Sequence, residues 1–153
     1  MAILTGSCRF GLWYVHVAWQ DDLIYRARFA REGIPGPVPG EILRYCAGRP
    51  ADLSSLRSVA TEGDTTFARI YRAVREIPCG ATATYGDIAL AVGTAPRAVG
   101  SAMARNPTPL VIPCHRVVAR TGIGGFSPDV AIKEALLDME RRGKVCGTSE
   151  GRD

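Results

Sequence analysis

The sequence predicts an α+β chain, and three observations carry that expectation. Alternating apolar and polar side chains are confined to the first third. Apolar residues recur at helical spacing through the second half. The 153 residues, 46% of them apolar, suffice for a core in one compact unit of two lobes.

The strand signal runs from about Gly11 to Trp19, is broken by Gln20-Asp21-Asp22, and resumes from Leu23 to Phe29, the pattern of a β-hairpin. In that register Ile24 faces the core while Arg26 and Arg28 face solvent. Ile34-Pro35-Gly36-Pro37-Val38-Pro39-Gly40 is a loop by its proline and glycine content, followed by a short helix near Glu41 to Ala47 closed by Gly48. The polar stretch from Arg49 to Asp64 reads as a connector between lobes.

From Thr66 to Glu76, Phe67, Ile70, Tyr71 and Val74 fall on one helical face, with Asp64 or Thr65 as N-cap and Ile77-Pro78 as the stop. Thr84 caps a second helix from Tyr85 to Val92. Gly93-Thr94-Ala95 makes a tight turn, and Pro96 opens a third helix to Arg105, a helix-turn-helix pattern that also occurs in proteins with no nucleic-acid partner. Gly100, Ser101, Ala102 and Ala104 keep that third helix slim enough for close approach to another surface. Arg97 at its start is unfavourable for the helix dipole, a local conflict that points to function. Beyond the glycine-rich loop Gly122-Ile123-Gly124-Gly125, Ser127 as N-cap and Pro128 at the first position start a final helix. Its buried side is expected to carry Val130, Ile132, Ala135, Leu136 and Met139, and Gly143 its end.

No run of about 18 apolar residues is present, so a membrane span is excluded, and the N-terminal residues lack the basic and apolar regions of a secretory signal. The expected setting is cytoplasmic. Five widely spaced cysteines, Cys8, Cys46, Cys79, Cys114 and Cys146, argue against a disulfide framework and fit a reducing compartment. No paired-cysteine metal spacing occurs. The net charge of +4 permits a polyanionic partner without demanding one, but the segment from Ile88 to Pro128 holds four arginines and no carboxylate, a local field suited to phosphates. Arginine outnumbers lysine 17 to 2, a bias that a GC-rich genome or a hot habitat would equally produce.

Pro113-Cys114-His115-Arg116-Val117 concentrates the chemistry. A lone cysteine after Leu110-Val111-Ile112 is ordinarily a buried hydrophobe. Here one of only two histidines adjoins it and Arg97, Arg105, Arg116 and Arg120 surround it, so a proton acceptor and a positive field are both at hand for a thiolate nucleophile. Asn106, the sole asparagine, stands before Pro107 and suits the turn that carries the thiol.

The run from Asn106 to Val117 resembles the signature of the O6-alkylguanine-DNA alkyltransferase family, also called methylated-DNA-protein-cysteine methyltransferases. Three further blocks agree in register: Tyr85-Gly86-Asp87-Ile88-Ala89, Arg97-Ala98-Val99-Gly100-Ser101-Ala102-Met103 and Lys133-Glu134-Ala135-Leu136-Leu137. The resemblance covers roughly residues 65 to 142; residues 1 to 60 match weakly. It implies an N-terminal lobe (1–60) with a small antiparallel sheet, packed on a mainly helical DNA-binding and alkyl-acceptor lobe (61–153).

The implied function is direct-reversal repair, in which an alkyl group passes once and irreversibly from O6 of a flipped guanine in duplex DNA to Cys114. O4-alkylthymine is a further candidate substrate. His115 would take the thiol proton through a water, Glu140 would orient the imidazole, and Asn106 would hold the turn. Tyr85 would contact the flipped nucleotide and help protonate the departing base. Arg97 would enter the stack in place of the base, with Thr94, Ala98, Gly100, Arg105 and Arg120 on the DNA side and the helix from Pro96 in the minor groove. Tyr85, Met103, Phe126, Ser127 and Pro128 would line the base pocket. No metal, no cofactor, no membrane and a monomer are expected.

The chain departs from the family at Phe126-Ser127-Pro128, where most members have tyrosine, serine and glycine. A phenol is therefore missing, and Pro128 brings a fixed φ and no N–H. Zinc ligands known in some relatives have no clear counterparts. Three alternatives stay open at this level: a helix-turn-helix regulator, a non-catalytic lesion-binding protein, which Cys114 argues against, and a cysteine hydrolase built on Cys114 and His115.

Overall fold

The structure, a computed structural model, describes residues 2–147, so Met1 and the last six residues of the lobe expected over 61–153 lie outside it. The architecture is α+β. Strands β1 (Leu4–Phe10), β2 (Trp13–Gln20) and β3 (Leu23–Ala30) form an antiparallel meander, and β4 (Arg57–Ser58) joins the edge of β3 in parallel. The sheet is therefore mixed rather than purely antiparallel, and the expected hairpin has a third strand before it. Residues 4–10 carry Thr, Gly, Ser and Arg among few apolar side chains; pairing with β2 and burial of Cys8 and Phe10 make them a strand. Val15, Val17, Ile24 and Phe29 fill the sheet's inner face, while Arg26 and Arg28 are exposed.

Helix α1 (Gly40–Cys46) follows the proline-rich loop and buries Ile42 and Tyr45 against the sheet. The connector contains two short 3-10 helices and β4, whose Arg57 forms a fork with Asp22. Helix α2 (Thr66–Arg75) starts where Thr65 accepts from the N–H of Ala68. Helix α3 (Tyr85–Val92) begins with a reciprocal capping box between Thr84 and Asp87 and ends at left-handed Gly93, a φ of +85° that glycine adopts without strain. Helix α4 (Pro96–Ala104) opens with Pro96, as expected. Ile70, Val74, Ile88, Val99 and Ala102 pack these three helices into one apolar cluster.

Two short parallel strands, β5 (Ala83–Thr84) and β6 (Val117–Val118), bracket the chain leading to and from the site. The last helix, α5 (Val130–Arg141), differs from expectation at its start and on its face. Asp129, not Ser127, is the N-cap, accepting from the N–H of Ala131, and the Ser127-Pro128 bond is cis. Val130 and Ala135 are exposed; the buried stripe is Ile132, Lys133, Leu136, Leu137 and Glu140. Two charged residues belong to it because both find partners inside, which apolar periodicity cannot show.

The cysteine reading also needs correction. Cys79 and Cys146 form a disulfide across 67 residues of sequence, with Cα atoms 5.6 Å apart. The fold brings the loop after α2 beside the chain after α5, a proximity that spacing alone does not reveal. Cys8, Cys46 and Cys114 are free and buried. Among the described residues no helix is long and apolar enough to cross a membrane.

Candidate functional site

The loop from Asn106 to Pro113 presents Cys114 at the start of a 3-10 turn, Cys114–Arg116. Asn106 pins that loop: its amide donates to the carbonyl of Ile112 at 2.9 Å, and its oxygen accepts from the N–H of Thr108 at 3.0 Å. The sheet holds it from below, through the N–H of Ala27 on the carbonyl of Pro107 and the Ser58–Thr108 hydroxyl pair. Leu110 lies in the left-handed region at φ +79°, a conformation costly for a leucine and sustained here by complete burial.

Cys114 is 7% exposed and lines a cavity of about 470 Å³. Tyr85, Gly100, Met103, Asn106, Phe126, Ser127 and Pro128 share that lining, so the residues expected to form a base pocket converge on the thiol. Ala27, Arg28 and Phe29 of β3 also line it, and Phe29 stacks edge-on against Phe126. The N-terminal lobe thus supplies one wall. Of the residues expected on the DNA side, Gly100 lines the cavity, Arg97, Arg105 and Arg120 are exposed, and Thr94 in the turn before α4 and Ala98 on its first turn are half-buried.

Behind the thiol lies a buried polar network centred on Glu140. Oε2 accepts from His115 Nε2 at 2.7 Å, Arg116 Nη2 at 2.9 Å and the Tyr45 hydroxyl at 2.5 Å. Oε1 accepts from Arg116 Nε at 2.8 Å and the N–H of Gly80 at 3.2 Å. Arg116 spends its remaining edge on the carbonyl of Ile77. Burial alone would raise the pKa of Glu140, but hydrogen bonds from His115 and Arg116, together with the charge of Arg116, outweigh it and hold the carboxyl well below its usual range. Burial lowers the basicity of His115 more than Glu140 restores it, so the imidazole is neutral. With Nε2–H directed at Glu140, Nδ1 is the acceptor. It is the only buried side-chain polar atom without a partner among the described residues.

Burial also pushes the Cys114 thiol up, offset by a hydrogen bond from Asn106, the charge of Lys133 and the backbone N–H groups of Cys114 and His115. Lys133 is fully buried, donating to the carbonyls of Val117 and Gly125. The site can therefore hold a protonated thiol at rest and take its proton onto a neutral imidazole, an activated-nucleophile arrangement. Among the described residues no cluster of three His, Cys, Asp or Glu side chains converges to hold a metal.

Sequence reasoning missed Tyr45 and Lys133 and treated Arg116 only as local charge. Lys133 and Glu140 are seven residues apart on one face of α5, a legible sign that the face is not purely apolar. Tyr45 gave no sign, being 95 residues from Glu140.

The family model for the DNA-binding domain of 6-O-methylguanine DNA methyltransferase matches residues 65–142. Two methylated-DNA–protein-cysteine methyltransferases are similar in sequence. That of Metallosphaera sedula is 56% identical over 63% of this chain and 61% of its own length; that of Thermococcus kodakarensis is 43% identical over 69% and 62%. The chain thus spans less than two thirds of the length of these relatives. Among solved structures, the Mycobacterium tuberculosis O6-methylguanine methyltransferase superposes with a TM-score of 0.73 at 25% identity, covering 92% of this chain and 94% of the other. The same organism's protein in complex with DNA gives 0.71 at 27% identity, covering 89% and 91%. With a matched domain that spans half of the chain and a shared fold, the chain belongs to the 6-O-methylguanine DNA methyltransferase family.

Proposed function

We propose that this protein repairs DNA by moving an alkyl group from O6 of guanine to Cys114, once per molecule. The observation that carries this reading is the placement of a buried thiol on the wall of a cavity of about 470 Å³, next to a neutral histidine with an unpartnered buried nitrogen. A lesion inside a stacked duplex is out of reach of such a thiol, so the nucleotide has to be extruded into the cavity, at a cost of a few kcal/mol. The pair α3 and α4 acts as a helix-turn-helix that holds the minor groove. Arg97, exposed at the start of α4, fills the vacated space in the stack.

The thiol proton passes to His115 Nδ1 through a bridging water, and Glu140 stabilises the imidazolium that forms. Sulfur then forms a bond to the alkyl carbon while the carbon–O6 bond breaks, its electron pair going to the guanine, which Tyr85 helps to protonate. A thioether is left with no group in the site to reverse it, so each molecule acts once. The protein acts as a monomer in the cytoplasm, on nucleoid DNA if the source is prokaryotic, and O4-alkylthymine is a further candidate substrate.

Incubation with duplex DNA bearing labelled O6-methylguanine should move label onto the Cys114 peptide, up to one group per molecule. Cys114→Ser should retain affinity and lose transfer. Arg97→Ala should weaken flipping more than binding to undamaged duplex. Binding of the lesion with no labelled peptide would instead identify a non-catalytic lesion-binding protein or helix-turn-helix regulator.

A further inference from the structure

The family model that matches residues 65–142 leaves out the nearest phenol to the Glu140 carboxylate. Tyr45 sits on α1, is 1% exposed, and donates its hydroxyl to Oε2 of Glu140, the same oxygen that holds His115. Its oxygen is 3.5 Å from His115 Nε2, so the two donors sit side by side on one acceptor. It is absent from the lining of the cavity that holds Cys114. No contact with DNA or with a flipped base is therefore open to it.

Two donors on one carboxylate oxygen compete for its electron density. Every increment of charge that Tyr45 draws is withdrawn from the bond that would stabilise a protonated His115. We propose that Tyr45 is a positioning residue by which the N-terminal lobe tunes the imidazole of His115 and so sets the pH range in which Cys114 can be deprotonated. The other groups facing this cluster are fixed in kind. Arg116 and Lys133 act on His115 as cations, Cys46 lies beside Tyr45, and Cys114 precedes the imidazole in the chain. Removing the Tyr45 hydroxyl leaves all of them in place and returns electron density to the Glu140–His115 bond. The basicity of His115 should rise.

Its consequence for rate rests on the alkyl-transfer reading; the titration does not. The chain has two histidines, His16 and His115, so their ring signals can be followed by NMR with one serving as control for the other. In Tyr45→Phe the His115 titration should move up by about half a unit to one unit, with His16 unchanged. In protein with Tyr45→3-fluorotyrosine, whose hydroxyl is a stronger donor, it should move down. The acid limb of single-turnover transfer should follow, slowing Tyr45→Phe about three- to tenfold on that limb, with affinity for damaged duplex unchanged. A His115 that titrates at the same pH in all three proteins, or in none of them down to acid unfolding, overturns the proposal, even if Tyr45→Phe is less stable. Absence of label on Cys114 of the unsubstituted protein would sink the alkyl-transfer reading alone, because the NMR titration still decides the role of Tyr45.

Discussion

Arg116 grips Glu140 with both sides of one guanidinium edge, Nε on Oε1 at 2.8 Å and Nη2 on Oε2 at 2.9 Å, and both side chains are buried. The fork fixes the plane of the carboxylate, and that plane places Oε2 in line with His115. Glu140→Ala would leave the guanidinium buried without its counter-charge and orphan the Tyr45 hydroxyl. A loss of about 3–5 kcal/mol is expected in denaturant unfolding. Arg116→Lys keeps the charge and loses the fork, so transfer should slow even in protein that remains folded.

Acid should destabilise the fold in two stages. The unfolded chain binds a proton on its histidine as pH falls below about 6.5, while buried His115 resists it, so stability declines from there. Glu140, depressed in the folded state, contributes stability that is fully present above the unfolded carboxylate value of about 4.3 and is lost as pH falls below it. Urea unfolding at a series of pH values should show both phases. In Glu140→Gln the lower one should shrink, and an unchanged lower phase would contradict this assignment.

Gly124 combines a φ of +83° with a tight approach: an added Cβ would lie 2.9 Å from the Tyr85 hydroxyl and 3.2 Å from Lys133 Nζ. Gly124→Ala is therefore strained in backbone and in space, with an expected loss of about 1–2 kcal/mol. It should also displace Tyr85 from the cavity. Slower transfer with a lowered melting temperature is the expected pair of results.

The Cys79–Cys146 bridge closes a long loop and anchors the segment whose Gly80 N–H reaches Glu140. Cys79→Ser with Cys146→Ser should lower stability by about 2–4 kcal/mol, on the order of 10 °C in melting temperature. Reduction by a thiol reagent should reproduce the change in the unsubstituted protein and leave the double variant unaffected.

What could be read from the chain alone is what neighbours within about four residues decide. The Thr65 and Thr84 caps, the tight turn at Gly93 and Pro96 at the head of α4 are satisfied by groups close by in sequence, so residue type and spacing suffice. Cys114, His115 and Asn106 were legible because they stand in one short run, whose loop Asn106 closes with bonds to residues two and six positions on. Tertiary structure alone decided the rest. Strand β1 forms because β2 offers it a ladder, Asp129 displaces Ser127 as the cap of α5, and Cys79 meets Cys146. Lys133 and Glu140 turn inward on a helix that apolar periodicity would have faced differently. A charge can enter a core only where partners await it. Those of Glu140 come from positions 24, 25, 60 and 95 residues away, a convergence that only the folded chain creates.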